Sequence, residues 1–227
     1  MIVSALSAQN ASRADGALRF ALLIPVKVPR GAVRIQYFAY GEQGARGGVL
    51  KPSANFYGYE LSVSSTTKEL RVLAYLPGCQ FDTLVLTPGM RAEQKLECRP
   101  LRTIELRGRI QPTTFLAGKA ALVEVRYLAF GAHEFFNIAD GMVPQFTIAK
   151  VTPDDKDGSF KTFLPAFAED SVVQRWRDKG RWQLFLREIN TGNILAHLKP
   201  IQYVNPEVGL EVSSSYPDVV IFEAAPW

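Results

Sequence analysis

The feature that most constrains the fold is a nine-residue segment that occurs almost twice in the chain. Val33–Gly41 reads VRIQYFAYG, and Val123–Gly131, ninety residues later, reads VEVRYLAFG. This spacing is too long for a solenoid repeat and fits a duplicated small domain. Both segments are rich in β-branched and aromatic residues and carry apolar residues on one parity, as core strands do. The repeat therefore predicts two related β-domains, with this strand second in each.

The length of the chain and a proline near its middle indicate where the two domains meet. A chain of 227 residues can form two domains of about 100 residues each. Arg99-Pro100 ends the strand pattern of the first half, and a new alternating segment begins directly after it. We therefore expect a tail at residues 1–16, a first domain at 17–99 and a second domain at 100–227.

The first residues leave two interpretations open. Met1–Ala8 has apolar residues followed by the small residues that a signal peptidase accepts, but it lacks a basic start and a full apolar core. One interpretation is the remnant of a secretory leader. The other is a disordered polar tail ahead of the first strand. The leader interpretation predicts an extracytoplasmic protein, whether periplasmic, secreted or on the cell surface.

Short alternating segments with turn residues about every ten positions predict an all-β chain. The expected architecture is two tandem antiparallel β-sandwich domains of an Ig-like kind. The first domain opens with a strand over Ala17–Val28, and Glu42–Ser53 is expected to be a glycine-rich loop. In the second domain, Asp170 or Ser171 can cap one short helix over Val172–Lys179. The closing strands are expected at Arg181–Glu188, Ile194–Tyr203, Val208–Val212 and Asp218–Phe222.

The two cysteines flank the clearest turn signal in the sequence. Pro88-Gly89 is strong turn chemistry, and it lies between the segments Cys79–Leu86 and Ala92–Cys98. If the turn is a four-residue hairpin loop, Cys79 faces Cys98 across the ladder. Directly opposed strand residues come close enough for a disulfide. We therefore predict a Cys79–Cys98 disulfide if the protein is exported, and two buried thiols if it is cytoplasmic.

A resemblance to a known family comes from a short stretch of the second half. Asp157-Gly158-Ser159-Phe160 through Leu164-Pro165 resembles the D-G-x-F…L-P stretch of carboxypeptidase-regulatory-like domains, which share the transthyretin-like (prealbumin-like) sandwich. The match covers about a tenth of the chain. The resemblance implies that the domains are transthyretin-like, non-catalytic attachments of envelope or secreted proteins, because most members of the family are.

The enzymes built on related sandwiches do not match at the residues. A transthyretin-like hydroxyisourate hydrolase would end in Tyr-Arg-Gly-Ser, whereas this chain ends Ala225-Pro226-Trp227. An intradiol dioxygenase would bring two closely spaced histidines and two tyrosines to iron, whereas His133 and His197 are 64 positions apart. The sequence therefore favours neither activity.

Two segments have the composition of a metal site without its spacing. His133-Glu134 lacks the separation that would aim both side chains at zinc from one element. Asp154–Gly158 lacks two of the carboxylates that an EF-hand loop requires. We interpret the first as a solvated loop and the second as a hairpin turn. No metal and no cofactor is predicted.

Aromatic residues supply the candidate contact surfaces. Phe135 and Phe136 lie in a long connection, His133–Gly141, and either fold over a sheet end or form a contact patch with His133 and Met142. The segment from Arg175 to Trp182 combines basic residues with Trp176 and Trp182. These tryptophans are either core anchors or platforms for a sugar or an acidic partner.

The sequence supports three hypotheses about function. The net charge of +4 is too small to indicate nucleic-acid binding, and no apolar run is long enough to span a membrane. The first hypothesis is a non-catalytic extracytoplasmic protein that binds another envelope or extracellular component, either protein or glycan. The second is a carbohydrate-binding module that uses Phe135, Phe136 or Trp182. The third is a hydrolase whose residues are scattered along the chain.

Overall fold

The structure of the protein is a computed structural model, which describes residues 17–42, 44–138, 143–177, 180–200 and 220–226. Within these ranges the chain is all-β, with one short α-helix. It divides into two compact units, Met1–Pro100 (unit 1) and Leu101–Trp227 (unit 2). The predicted tail at residues 1–16 lies outside the described residues.

Unit 1 contains seven strands in two sheets. One sheet has the order β4-β1-β7 and the other has the order β3-β2-β5-β6. The strands are β1 (Ala17–Leu23), β2 (Arg34–Gly41), β3 (Gly44–Val49), β4 (Gly58–Ser64), β5 (Thr67–Tyr75), β6 (Asp82–Leu86) and β7 (Glu93–Lys95).

The two sheets of unit 1 share one hydrophobic core, which gives the unit the character of a β-sandwich. Alternation along each strand sends every second side chain to this core, and the fully buried ones each contribute roughly 1.5–3 kcal/mol. The core side chains of β1 and β4 are Leu18, Phe20, Leu22, Tyr59 and Leu61, and those of β2, β5 and β6 include Ile35, Ala39, Leu70, Val72, Ala74 and Leu86.

The described residues of unit 2 also form seven strands, but these make one continuous sheet. Its order is β10-β9-β12-β13-β14-β8-β11, and the two edge strands β10 and β11 approach each other, so that the sheet is nearly closed on itself. The elements are β8 (Thr103–Gln111), β9 (Ala121–Leu128), α1 (Ala132–Phe136), β10 (Gln145–Val151), β11 (Ser159–Pro165), β12 (Arg181–Glu188), β13 (Ile194–Pro200) and β14 (Val220–Pro226).

The two units have the same strand connectivity. In each, the first strand pairs antiparallel with the fourth and parallel with the seventh. The second strand pairs with the third and the fifth, and the fifth pairs with the sixth. The repeated segments Val33–Gly41 and Val123–Gly131 contribute β2 and β9, the second strand of each unit. The ninety-residue repeat in the sequence therefore corresponds to a repeated topology.

This connectivity corrects two parts of the expected architecture. The sheets are not purely antiparallel, because β1–β7 and β8–β14 are parallel pairs. The order is not that of a constant-type Ig domain, in which the first two strands are neighbours in one sheet. Here the first strand of each unit never pairs with the second.

Two local predictions in the first half also need correction. The first strand ends at Leu23 rather than Val28, because Pro25 starts a turn in which Val28 N donates to Pro25 O. The segment Glu42–Ser53 is not a loop throughout, because it contains strand β3. Glycine is depleted in strands, which concealed β3 in the sequence.

The helix of unit 2 is not where the sequence predicted it. The described part of Val172–Lys179 forms only a 3-10 turn, Val173–Arg175, whose N–H groups at Val172 and Val173 donate to Asp170 Oδ1. Asp170, one of the two residues expected to cap a helix here, thus caps this 3-10 turn instead. The α-helix is instead α1, which lies within the expected connection His133–Gly141 and the residue before it.

Two of the closing strands match their expected positions. Strand β12 has the predicted bounds, Arg181–Glu188, and β13 begins at Ile194 as expected. Strand β14 continues to Pro226, beyond the predicted end at Phe222. The predicted strand Val208–Val212 lies outside the described residues.

Candidate functional site

Cys79 and Cys98 form a disulfide, with their Cα atoms 5.2 Å apart. The predicted pair is therefore present, but the hairpin that suggested it is wrong. Strand β6 pairs with β5, whereas β7 pairs with β1 in the other sheet. The partner of Cys79 in its isolated bridge is Pro100, not Cys98. The disulfide therefore lies where the chain passes between the two sheets of unit 1, not across a ladder.

A buried carboxylate reinforces this crossing. Asp82 accepts from Thr83 N at 2.9 Å and from Glu97 N at 2.8 Å, and its carboxylate is 3.9 Å from the Arg99 guanidinium. Burial raises the pKa of Asp82, although these hydrogen bonds and the nearby cation act in the opposite direction. The hydrogen bond from Glu97 N, like the disulfide, joins the start of β6 to the residues that follow β7.

The structure does not bring the predicted contact residues together on a surface. Phe136 and Trp182 are buried, with exposures of 0% and 6%. The ring of Trp182 stacks on Phe167 at a centroid distance of 5.5 Å. These two rings are core residues, because a partner cannot reach side chains that are this deeply covered. Trp182, together with the buried Trp176, follows the core-anchor interpretation of the Arg175–Trp182 segment.

The other two residues predicted from the aromatic connection are half-buried. Phe135 packs against Phe136 with ring centroids 5.1 Å apart. His133 Nδ1 lies 2.5 Å from Phe130 O, next to the start of α1. Met142, the remaining member of that predicted patch, lies outside the described residues.

A charged network on β9 was not predicted. Glu124 is 4% exposed, and its carboxylate accepts from Thr147 Oγ1 at 2.9 Å, Arg126 Nη2 at 3.1 Å and Arg187 Nε at 2.6 Å. Burial acts to raise the pKa of Glu124, but these three hydrogen bonds outweigh it and lower the pKa to about 2. The carboxylate is therefore ionised at neutral pH and fully engaged by its donors. The signal in the sequence is a charged residue between Val123 and Val125.

The network lies on the outward face of the sheet formed by β10, β9, β12 and β13. Val123, Val125 and Tyr127 of β9 point into the core of unit 2, so the alternate residues Glu124 and Arg126 point outward. The Arg126 guanidinium lies over the Phe185 ring at 4.9 Å, and Phe185 stacks on His197 at 5.0 Å. Burial lowers the pKa of His197, and Lys199 lowers it further. His197 is therefore mostly neutral at pH 7.

Unit 1 contains a shallow groove of about 230 Å³. It opens where β2 and β3 meet the β4–β5 turn. Its lining combines a tyrosine ring, an arginine, several hydroxyls and glycine backbone, contributed by Tyr37, Ala39, Gly41, Gly44, Arg46, Ser62, Val63, Ser64, Thr66 and Thr67. Ser64 Oγ and Thr66 Oγ1 are 2.8 Å apart and hydrogen bond to each other.

No cluster of metal-ligating side chains occurs within the described ranges of the chain. Asp154, the first acid of the calcium-like segment, accepts from the backbone N–H groups of Lys156 and Asp157 instead. Gly158 N donates to Asp154 O, which closes a turn between β10 and β11. Among the residues that the structure describes, no helix is long and apolar enough to cross a membrane.

Comparisons with known proteins give no family. No family model matches the chain, and no curated protein matches it. Among solved structures it is similar to a candidate adhesin from Bacteroides ovatus, at 13% identity and a TM-score of 0.27, over 88% of this chain and 94% of that one. It is also similar to a streptococcal ancillary pilin, at 12% identity and a TM-score of 0.25, over 94% of this chain and 64% of that one.

A third similar structure is a leucine-rich repeat protein from Bacteroides thetaiotaomicron. The identity is 12% and the TM-score is 0.24, over 92% of this chain and 27% of that one. Likenesses at these scores carry no argument about function. The proposals that follow rest on the residues of this chain.

Proposed function

We propose that the chain is a non-catalytic, exported binding protein that attaches to another envelope or extracellular component. In this proposal residues 17–99 and 100–227 are two tandem domains of transthyretin-like kind, joined at Arg99-Pro100, and in the second the strands of the sandwich run together into one sheet. The carrying observation is the Cys79–Cys98 disulfide, which ties together the two sheets of unit 1. Disulfides persist in oxidising compartments and are rare in the cytosol.

The position of the disulfide supports a structural role for it. Cys79 is 1% exposed, and the residues next to it are tied to the far side of the crossing by the hydrogen bond from Gln80 N to Arg99 O at 2.8 Å. Cys98, the other half of the link, is exposed. A cross-link that holds two sheets together, with one of its cysteines buried, fits a protein that must keep its fold outside the cell.

The turn that resembles carboxypeptidase-regulatory-like domains also has a structural explanation. Gly158 adopts a φ of 71°, and a Cβ there would lie 2.6 Å from Ile110 O. The ring of Phe160, two residues on, covers Gly108 of the neighbouring strand β8. The D-G-x-F segment therefore builds the β10–β11 turn and the start of β11, and it is a framework element in this proposal.

The carbohydrate-binding alternative now has a different location. Phe136 and Trp182 are unavailable to a sugar because they are buried. The groove of unit 1 has a half-buried Tyr37 beside Arg46 and several hydroxyls, which is suitable chemistry for a small polar ligand. The hydrolase alternative would need a titrating acid or base. Glu124 does not suit that role, because its pKa of about 2 leaves it without a proton to exchange near neutral pH.

The proposed compartment can be tested in the producing cells with a tagged full-length chain. Fractions would be treated with an alkylating mass label before and after reduction. We expect the chain in the extracytoplasmic fraction, with Cys79 and Cys98 labelled only after reduction. A cytosolic chain whose two thiols are labelled without reduction would contradict the proposal.

The binding part of the proposal needs its own measurement. Purified, oxidised full-length chain would be titrated onto the washed envelope fraction of the same cells. Saturable retention is expected, and a chain unfolded and alkylated beforehand is the control for adhesion of unfolded protein. Retention that never saturates, or that equals the control, would remove the binding function.

A further inference from the structure

The outward face of β10, β9, β12 and β13 in unit 2, here called the basic face, has one sign of exposed charge. Alternation and register place five cations on it, namely Arg126, Lys150, Arg181, Arg187 and Lys199. Within the described residues of these four strands the only outward acid is Glu124, which is 4% exposed and already bonded to Arg126 and Arg187. Glu223 of the next strand, β14, lies opposite Lys199 in the register.

The exposed lysines of the basic face have no ion-pair partner within the described part of the chain. Lys150 lies on β10 opposite Glu124 in the register, and Lys199 lies on β13 two residues after His197, on the same face. Both are exposed, and no described carboxylate comes within 4.0 Å of either ammonium group. Among the described residues, the basic face therefore has at each margin an ammonium group that forms no ion pair, with Glu223 opposite Lys199 at the β13 margin.

The outward face of β8 and β11 is different. Lys161 and Arg107 both pair with Glu105, at 2.7 Å and 2.5 Å, and Arg109 lies 3.5 Å from Asp157. On that face each of these cations has a carboxylate partner from the same unit. The charge on the basic face is thus a local property of four strands and does not follow from the net charge of +4 alone.

We propose that the basic face docks an acidic, extended segment of a partner protein. The inference deepens the proposed binding function and rests on it. Lys150 and Lys199 lie on strands that are three steps apart, which is roughly 14 Å at the usual strand spacing. Carboxylates about four residues apart on an extended peptide span the same distance.

The aromatic rings of the basic face favour a peptide over a glycan. Phe185 is 3% exposed, because Arg126 covers it and His197 stacks on it. The ring that could have served as a platform for a sugar is therefore already covered. What the face offers to a partner is charge, with the guanidinium groups of Arg126 and Arg187 held in place by Glu124.

The size of the basic face predicts weak and salt-dependent binding. Four strands and about three register rows cover roughly 300 Å², whereas a stable interface buries about 800 Å² on each partner. Contacts between exposed charges are screened by salt, with a Debye length of about 10 Å at 0.1 M. Electrostatic attraction would therefore mainly guide association, and other surfaces would add affinity.

The test uses fluorescein-labelled poly-L-glutamate as the probe and the oxidised full-length chain. Anisotropy would be recorded at low salt and at about 0.5 M salt. We expect saturable binding at low salt that is lost at high salt. Reversing both marginal charges, with Lys150→Glu and Lys199→Glu together, should weaken binding about tenfold or more, since each exposed ion pair contributes up to about 1 kcal/mol.

The matched control reverses two exposed lysines of unit 1, with Lys27→Glu and Lys95→Glu together. It changes the net charge by the same amount and should weaken binding less than about twofold, because neither lysine belongs to the basic face. An equal loss in both double variants would overturn the proposal, since net charge alone would then explain binding. Binding of alginate, a polyuronate, without binding of poly-L-glutamate would overturn it in favour of a glycan.

The outcome is separable from that of the proposed function. If the oxidised chain is exported and binds the envelope fraction but not poly-L-glutamate, the docking proposal fails and the proposed function stands. If the chain is cytosolic with free thiols, the proposed function fails whatever the probe does.

Discussion

The two units differ in how the part of the sheet that ends at the sixth strand is joined to the part that contains the seventh. The first six strands of each unit pair in the same way, so the sixth strands β6 and β13 occupy corresponding places. The units differ in whether this sixth strand pairs with the seventh strand, β7 or β14. In unit 2, β13 pairs antiparallel with β14, and this pairing joins the two halves of the sheet into one. In unit 1, β6 and β7 do not pair, and the two sheets stay separate. A disulfide takes the place of the missing ladder.

The difference indicates what a covalent link contributes in a small β-domain. Strand β7 has only three residues, so the seventh strand of unit 1 makes few backbone hydrogen bonds to hold it against β1. The Cys79–Cys98 bond and the hydrogen bond from Glu97 N to Asp82 fix its position instead. In unit 2 the seven-residue strand β14 pairs with β13 through Phe222–Pro226 and with β8 through Val220–Glu223, and no cysteine is present.

The largest expected effect comes from removing the disulfide. The variant with Cys79→Ala and Cys98→Ser should lose about 3 kcal/mol of the free energy of unfolding, because the link closes a loop with a sequence separation of 19. The measurement is equilibrium denaturation of the oxidised chain and of the double variant. Equal free energies of unfolding would show that the disulfide does not stabilise the fold. The difference between the closures of the two units would then not affect stability.

Hydrogen exchange can show whether this effect is confined to unit 1. After reduction, backbone amides of β5 and β6 should exchange faster, because the crossing that anchors β6 is released. Amides in β12 and β13 should keep their protection, since backbone pairing alone joins β13 to β14. Faster exchange in both units to the same extent would contradict separate means of closure.

A second contrast lies on the repeated strand itself. Arg34 stands ninety residues before Glu124, and it donates to the backbone carbonyls of Gly31 and Val33. Glu124 instead organises Arg126, Arg187 and Thr147. Glu124→Gln should cost about 2–3 kcal/mol, because two guanidinium groups lose a charged acceptor in a largely buried setting. Chemical denaturation at neutral pH measures the loss.

The lowered pKa of Glu124 also predicts the direction in which stability changes with pH. The pKa of Glu124 is lowered from 4.5 to about 2 in the folded chain. The ionised carboxylate therefore stabilises the fold above about pH 4.5, and this contribution is lost as the pH falls toward 2. The Gln variant should lose less stability than the wild type across that range. Glu93→Gln, at an exposed position on β7, is the control and should leave the acid limb unchanged.

The features that the sequence predicted well depend on local patterns. Alternation was enough to identify β12 with its bounds and the start of β13. The repeat placed β2 and β9 correctly as second strands, because residues that are buried on one parity must keep their spacing.

The features that it missed depend on contacts between distant segments. Whether the chain after Pro88-Gly89 returns to the same sheet or crosses to the other is decided by partners outside the turn, so the cysteine pair was correct and its register was wrong. The exposure of Phe136 and Trp182 could not be deduced either. Burial of an aromatic side chain depends on which distant rings pack against it, as Phe167 packs against Trp182. Pattern alone also cannot give the directions of Arg126 and Arg187, on which the basic face depends.

The smallest expected effects concern glycines that lie under aromatic rings, a device that both units use. Gly47 of β3 faces Phe38, and Gly108 of β8 faces Phe160. A Cβ at Gly47 would lie 2.6 Å from Phe38 Cε1, and one at Gly108 would collide with the Phe160 ring. Phe160 has little room to move, because it is 6% exposed and packs against Phe222 with centroids 5.6 Å apart.

Gly108→Ala should therefore cost roughly 1–2 kcal/mol, as overpacking of a filled core does. Gly47→Ala should cost less, because β3 is an exposed edge strand and can shift away from Phe38. Gly31→Ala, where no atom lies within 4 Å of the added Cβ, is the control and should be near neutral. Thermal unfolding of the three variants orders them. If Gly47→Ala proved as costly as Gly108→Ala, the edge of unit 1 would be as tightly packed as the core of unit 2, and the expected difference between an exposed edge strand and a filled core would be wrong.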